Sequence, residues 1–447
     1  MSLPTSASLD RRRFLTFSGA ALGAVALSGC AASVDDGTGG GVKSGSTTLT
    51  VMCEKDDIDI KAAQQALGMK IRFLQNDPAK LNALLAAKTP PDIVRGSGAT
   101  DAPYFAAREL MTDLDPYFAK STVLKPSDLD PVNDLWRYDG SKQGVGPRYG
   151  MAKDFSQDQM FWYRTDLFEA AKLDLPSETE PLSFEEWLDL GKQLVKRRLG
   201  KVKVYGMNVT ALGSFAPLMS MTASAGGSLF AEDLASVDFS SPEALKALRW
   251  YLDYTKADIG PSVVNPNPDG WDWPTFQAGR MAMAGDGYWF GGAIAGDPKA
   301  AAVSRLAPAP QLGSSRISPC FGATGFWMPK EAQNKDAAWK FFEWFFGGAA
   351  AQSRAASGWG IPSLKSLRAK MPQDKPYQKQ AFKVQEQELA HFSVLSFTPY
   401  AQRDALDGVI SKVVPGAVKS GTSAGKVADQ LNKQMNDLIA QGKDVLG

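Results

Sequence analysis

The stretch WDWPTFQAGRMAMAGDGYWFGG, Trp271 to Gly292, sets three tryptophans, two phenylalanines and a tyrosine among glycines, with Asp272 and Asp286 as its only carboxylates. It holds no histidine, cysteine or serine. Two carboxylates across a sugar bond are the machinery of glycoside hydrolysis, at a separation of about 5 Å or wider according to mechanism. Asp154 with Asp286 is the pair such a secreted hydrolase would use, yet no motif fixes their spacing. The whole chain has one histidine, His391, and three cysteines. Neither a Ser-His-Asp triad nor a metal site is supported, and no cofactor is expected. His391 reads as a surface or interface residue. Aromatic plates beside bare backbone suit a pocket that holds a small molecule without reacting with it.

Those residues must be positioned by a chain of 447 residues, beyond the size at which one hydrophobic core stops growing. Two lobes are therefore expected. The hydrophobic fraction of 44% and charged fraction of 22% describe an ordinary globular protein. A formal net charge of +1 gives no argument for nucleic acid or an acidic surface as partner.

The N-terminus carries a delivery signal. In LDRRRFLTFSGAALGAVALSGC an arginine cluster, Arg11 to Arg13, precedes an apolar run from Phe14 to Gly29. At about 1.5 Å per residue that run spans roughly 24 Å, short of the roughly 30 Å hydrocarbon core, and reads as a signal-peptide segment. Arg11-Arg12 with Phe14-Leu15 resembles the twin-arginine export motif, and Leu27-Ser28-Gly29-Cys30 resembles a bacterial lipobox. The resemblance implies removal of residues 1–29 and a lipid on the Cys30 sulfur. Two acyl chains hold a protein at a membrane where one does not. The Gly, Ser and Thr-rich residues 30–46 then form a flexible tether. Outside the cytoplasm Cys53 and Cys320 are free to form a disulfide, or to serve as two small buried hydrophobes, the reading preferred here.

Along the rest of the chain, short β-rich runs at Thr48–Cys53, Lys70–Gln75 and Pro91–Ser97 alternate with helical sequence, which argues an α/β lobe with a largely parallel sheet. Ligands bind outside the carboxyl ends of such strands. The segments leaving those ends are Glu54–Asp57, Asn76–Asp77 and Gly96–Asp101, all polar. Ser183 and Glu186 stand in capping-box spacing, and Ser241-Pro242 reads as a cap with proline at the first helical position. Trp339, Phe342 and Phe346 form a helical stripe ended by Gly347. Trp187, Trp250, Trp339 and Trp344 read as core.

The order of segments over about 45–440 resembles a known family. PPDIVRGSGATDAPYFAARELMTDLDPYF, YGMAKDFSQDQMFWYRTDLFEAAKLDLP, TFQAGRMAMAGDGYW, ATGFWMPKEAQNKDAAWKFFEWF, SGWGIPSLKS and FTPYAQRDALDGVISKVVPG follow one another as in the extracellular solute-binding proteins of family 1, the carbohydrate-binding lipoproteins of ABC importers. The resemblance implies an α/β periplasmic-binding-protein-like fold of two discontinuous lobes, 47–151 with 323–370 and 152–322 with 371–447. They would be joined by crossings near Tyr149–Asp154, Gly322–Phe326 and Lys370. It further implies a hinged cleft for a mono- or oligosaccharide, and delivery by a membrane-anchored monomer to two permease subunits and their ATPase.

Tryptophan rings would cover the flat C–H faces of a sugar and fixed polar groups its hydroxyl edge. Matching positions make Trp289 a stacking platform, with Trp271 favoured over Trp273, and Trp327 and Trp359 as further plates. Asp154 and Asp286 are candidate hydroxyl acceptors, and Glu54 and Asp57 leave the first strand into the cleft. Phe215, Tyr400 and Arg403 match positions where relatives present aromatic or polar side chains. The chain departs from the family where Met52-Cys53 replaces the aromatic near the end of the first strand, and at Arg164, read as a surface substitution. A polyamine or other charged solute is the alternative ligand, separable by the salt dependence of binding.

Overall fold

The structure, a computed structural model, describes residues 47–446 except 211–212. The signal segment, Cys30 and the tether expected at 30–46 lie outside the described residues. Strand β1, Thr48–Cys53, is buried along nearly its whole length, as the apolar run TLTVMC requires of a strand covered on both faces. It pairs in parallel with β2, Lys70–Gln75, from Thr48 opposite Lys70 to Cys53 opposite Gln75, and with β3, Ile93–Ser97.

The sheet is completed by distant chain. Thr324–Trp327 lies antiparallel to β3, and Gly150–Ala152 lies antiparallel to that strand, giving five strands. Helix Lys335–Phe342 and the aromatic residues after it pack on this sheet around Phe326 and Met151. A second sheet centres on Phe161–Arg164, flanked antiparallel by Met283–Ala284 and Ser304–Ala307. Its core is formed with helices Phe184–Leu194, Phe215–Ser224, Pro242–Ala257, Arg403–Ser420 and Ala424–Leu446.

The helix starts follow local chemistry. Ser183 Oγ accepts from the Glu186 amide at 3.1 Å while Glu186 accepts from the Ser183 amide at 2.7 Å, a complete capping box. Ser241 caps Pro242–Ala257 with proline in the first turn. Among the described residues Cys53 and Cys320 are both buried and unpaired, and burial pushes the Cys53 thiol up to about 12. They are two small hydrophobes, inert as thiols. Arg164 corrects its reading as a surface residue. It is 8% exposed, donates to both oxygens of Asp166 at 3.1 and 2.8 Å, and holds the Phe276 carbonyl at 3.0 Å. Among the described residues no helix is long and apolar enough to cross a membrane.

Candidate functional site

The carboxyl ends of β1, β2 and β3 open into a cleft of about 1030 Å³. Its polar end is built from Asp57, the last residue of the turn after β1. The Asp57 carboxylate accepts from the Glu54 amide at 3.0 Å, meets Arg95 Nε of β3 at 2.9 Å, and meets Lys153 Nζ at 3.2 Å. Burial alone would raise its pKa, but Lys153 and Arg95 together hold the carboxyl below the usual range. Glu54 takes hydrogen bonds from Gln75 at 2.6 Å and Asn76 at 3.2 Å, so the ends of β1 and β2 are tied at the cleft.

Asp154 follows the strand Gly150–Ala152 and lies 3.7 Å from Lys153 Nζ and 3.9 Å from Arg354 Nε. Burial raises its pKa, with Lys153 and Arg354 opposing, and its Oδ2 has no hydrogen-bond donor among the described residues. The Arg354 guanidinium is itself laid over the Phe345 ring at 4.3 Å. Asp158 also borders the cleft; it accepts the amides of Phe321 at 2.6 Å and Gly322 at 3.1 Å. Burial overrides those bonds and pushes its pKa up to about 7.

The other wall is aromatic. Trp289 and Trp359 lie nearly parallel, 13° between planes and 6.3 Å between centroids, and Trp271 adds a third ring that is 44% exposed. Trp162 Nε1 donates to the Gly287 carbonyl at 2.8 Å, which fixes the turn ahead of Trp289. Trp359 lies flat against Gly292, where a Cβ would fall 2.4 Å from the indole Cδ2. Gly292→Ala is therefore expected to displace Trp359 and weaken ligand binding about tenfold while lowering stability by about 1–2 kcal/mol, read by calorimetric titration and melting.

Of the residues singled out in the sequence, Glu54, Asp57, Asp154, Trp271, Trp289, Trp359 and Arg403 line the cleft. Four do not. Phe215 is fully buried among Phe230, Phe239 and Phe397, because its helix turns that face to the second core. Trp327 is also fully buried, its ring stacked at 5.0 Å on Phe105, which itself lines the cleft and covers it. Tyr400 packs beside Lys443 of the C-terminal helix and outside the cleft lining.

Asp286 is 2% exposed and faces Asp272 instead of the cleft. Burial and then the Asp272 carboxyl push Asp286 well above the usual carboxylate range. Asn208 Nδ2 donates to both Asp272 oxygens, at 2.9 and 2.7 Å. The dyad ties the loop of Trp271 to the loop of Trp289. Trp273 turns inward onto Phe290 at 5.9 Å, leaving Trp271 at the cleft.

Arg95, Lys153, Asp158, Arg354 and Trp344 also line the cleft, and sequence reasoning did not select them. Trp344, read there as core, stands in a π-helical turn, Glu343–Gly347, and reaches the cleft while Trp339, Phe342 and Phe346 stay buried. Arg95 had a usable signal, since it precedes the carboxyl end of β3. Among the described residues no group of three or more His, Cys, Asp or Glu is arranged to hold a metal ion.

Residues 54–352 match the family described as bacterial extracellular solute-binding protein. The chain belongs to this family. No curated protein matches it in sequence. Solved structures share its fold at low identity. An ABC substrate-binding protein from Listeria monocytogenes in complex with cycloalternan has a TM-score of 0.72 at 19% identity, over 88% of this chain and 99% of that one. An ABC transporter solute-binding protein from Thermotoga lettingae bound with α-D-tagatose has a TM-score of 0.73 at 20% identity, over 88% of this chain and 100% of that one. One from Agrobacterium vitis with bound D-mannitol has a TM-score of 0.66 at 19% identity, over 90% and 99%. The fold of this solute-binding protein is thus the two-lobed periplasmic-binding-protein type, and its class is a binding protein, not an enzyme.

Proposed function

We propose that this solute-binding protein captures a carbohydrate or polyol between its lobes and delivers it to an ABC permease, held at the outer face of the cell membrane by lipid on Cys30. The lobes we assign are 47–151 with 323–370 and 152–322 with 371–447, hinged at the segments between them. The observation that carries the reading is the juxtaposition in one cleft of parallel Trp289 and Trp359 rings with the Asp57, Arg95 and Lys153 array. The rings offer faces for sugar C–H groups. The array offers fixed donors and acceptors for hydroxyls, with the Asp57 carboxylate paired to both cations. In our assignment Glu54, Asp154, Trp271 and Arg403 complete the contacts. The cycloalternan, tagatose and mannitol bound in the Listeria, Thermotoga and Agrobacterium structures support the same ligand class.

A thermal-shift panel of mono- and oligosaccharides, polyols and polyamines, run on residues 46–447, tests this. A ligand at a hundred times its Kd stabilises the folded state by about 2.7 kcal/mol. A shift with a saccharide or polyol that is nearly independent of salt is expected. A shift confined to a polyamine, weakening as salt rises, overturns the carbohydrate reading.

A further inference from the structure

The hairpin Lys196–Val204 carries a charge pattern that the cleft does not use. Between Leu190 and Ala231 the chain has six cations, from Lys192 to Lys203, and no acid. The two strands, Lys196–Arg198 and Lys201–Val204, form an isolated two-stranded sheet away from both larger ones. Arg198 stands directly opposite Lys201, a like-charge pairing that destabilises a hairpin left in water. Val202 lies opposite Arg197 and is half-buried against the body. Lys196, Arg198, Lys201 and Lys203 are all exposed, Lys203 at an irregularity of the register where Val204 takes the place opposite Lys196.

Among the described residues Arg197 alone of the hairpin's cations is in an ion pair, with Asp258 at 2.9 Å. Its guanidinium also donates to the Ala257 and Asp258 carbonyls, which holds the hairpin rigidly on the end of helix Pro242–Ala257. At the tip, Leu199 is 94% exposed and sits at φ 52°, a left-handed position that glycine or asparagine fills at lower cost. An exposed leucine in that position loses both hydration and backbone free energy.

We infer that this hairpin is a contact site for an anionic lipid surface, with Leu199 entering the interfacial layer and Lys196, Arg198, Lys201 and Lys203 facing phosphate headgroups. The warrant is charge complementarity: a cation beside an anionic leaflet strengthens binding about fivefold. An apolar tip flanked by cations is the arrangement that gains from both the headgroups and the layer beneath them. The site is separate from the cleft, so solute recognition and membrane contact can fail independently.

The test is co-sedimentation of residues 46–447, which form a compact unit, with vesicles of phosphatidylcholine alone or mixed with phosphatidylglycerol. Binding to the mixed vesicles that falls with salt is expected, with little binding to phosphatidylcholine alone. The double variant Arg198→Gln with Lys201→Gln should weaken it about 25-fold, two cations at about fivefold each. Leu199→Asn should weaken it about tenfold without lowering the melting temperature, because the apolar tip is lost while asparagine suits the left-handed position. Equal binding to both vesicle types, or full retention by the double variant, overturns the inference. Unchanged binding by Leu199→Asn overturns the insertion of the tip.

Discussion

Trp289→Ala is expected to weaken saccharide binding about a hundredfold, with Trp359→Ala close behind. A large ring at the centre of a contact costs about 2–4 kcal/mol when truncated, and the stacked pair acts as one surface, so removing either ring unsettles the other. Trp289 also packs edge-on against Phe290, at 5.7 Å. A modest fall in melting temperature should therefore accompany its loss. Calorimetric titration of both single variants and the double variant measures the coupling. A double variant no worse than either single one marks the rings as one platform. Trp327→Ala is the contrast: it opens a cavity beneath Phe105 and should cost about 3–5 kcal/mol of stability. Binding by the Trp289 variant at wild-type affinity would remove the aromatic wall from the recognition account.

The second large effect concerns pH. Asp158 titrates at about 7 in the folded protein against an ordinary value of 3.8, because burial disfavours its charge. The folded state therefore holds a proton that the unfolded state releases between about pH 4 and pH 7, and stability falls as pH rises through that window. Three pKa units correspond to about 4 kcal/mol. Asp158→Asn keeps an oxygen for the Phe321 and Gly322 amides and has no charge to bury. The variant should melt several degrees higher than the wild type at pH 8 and equal it at pH 4. Asp154, Asp101 and the Asp272–Asp286 pair, all raised by burial, act in the same direction. Asp57 acts oppositely, contributing stability above the unfolded value that is lost as pH falls through its depressed pKa. Parallel melting curves of the wild type and the Asp158→Asn variant across pH 4–8 would show that Asp158 is not the source of the slope.

Much of the scaffold was legible because it is written in short-range chemistry. The β1 and β2 runs, the Ser183 capping box and the Ser241-Pro242 start depend on residues within a turn or a strand of one another. So does the expectation that Glu54, Asp57 and the Gly96–Asp101 segment leave strand ends into a cleft. The segment order that resembles the solute-binding family needed no coordinates either.

Tertiary packing decided which faces of those elements open to the cleft. Phe215 and Trp327 have the residue type of ligand platforms, yet long-range packing against Phe397 and Phe105 puts them in core. Trp344 reads as core, yet it stands in a π-helical turn and reaches the opening. Asp286 looks like a free turn carboxylate until folding sets Asp272 beside it. Arg95, Lys153 and Arg354 are ordinary cations in the sequence and become site residues only when Asp57 and Asp154 are brought to them. Periodicity and capping act within a few residues, whereas a cleft is made by surfaces tens to hundreds of residues apart. Trp359 resting on Gly292 is a contact of that second kind, and no local pattern in the chain announces it.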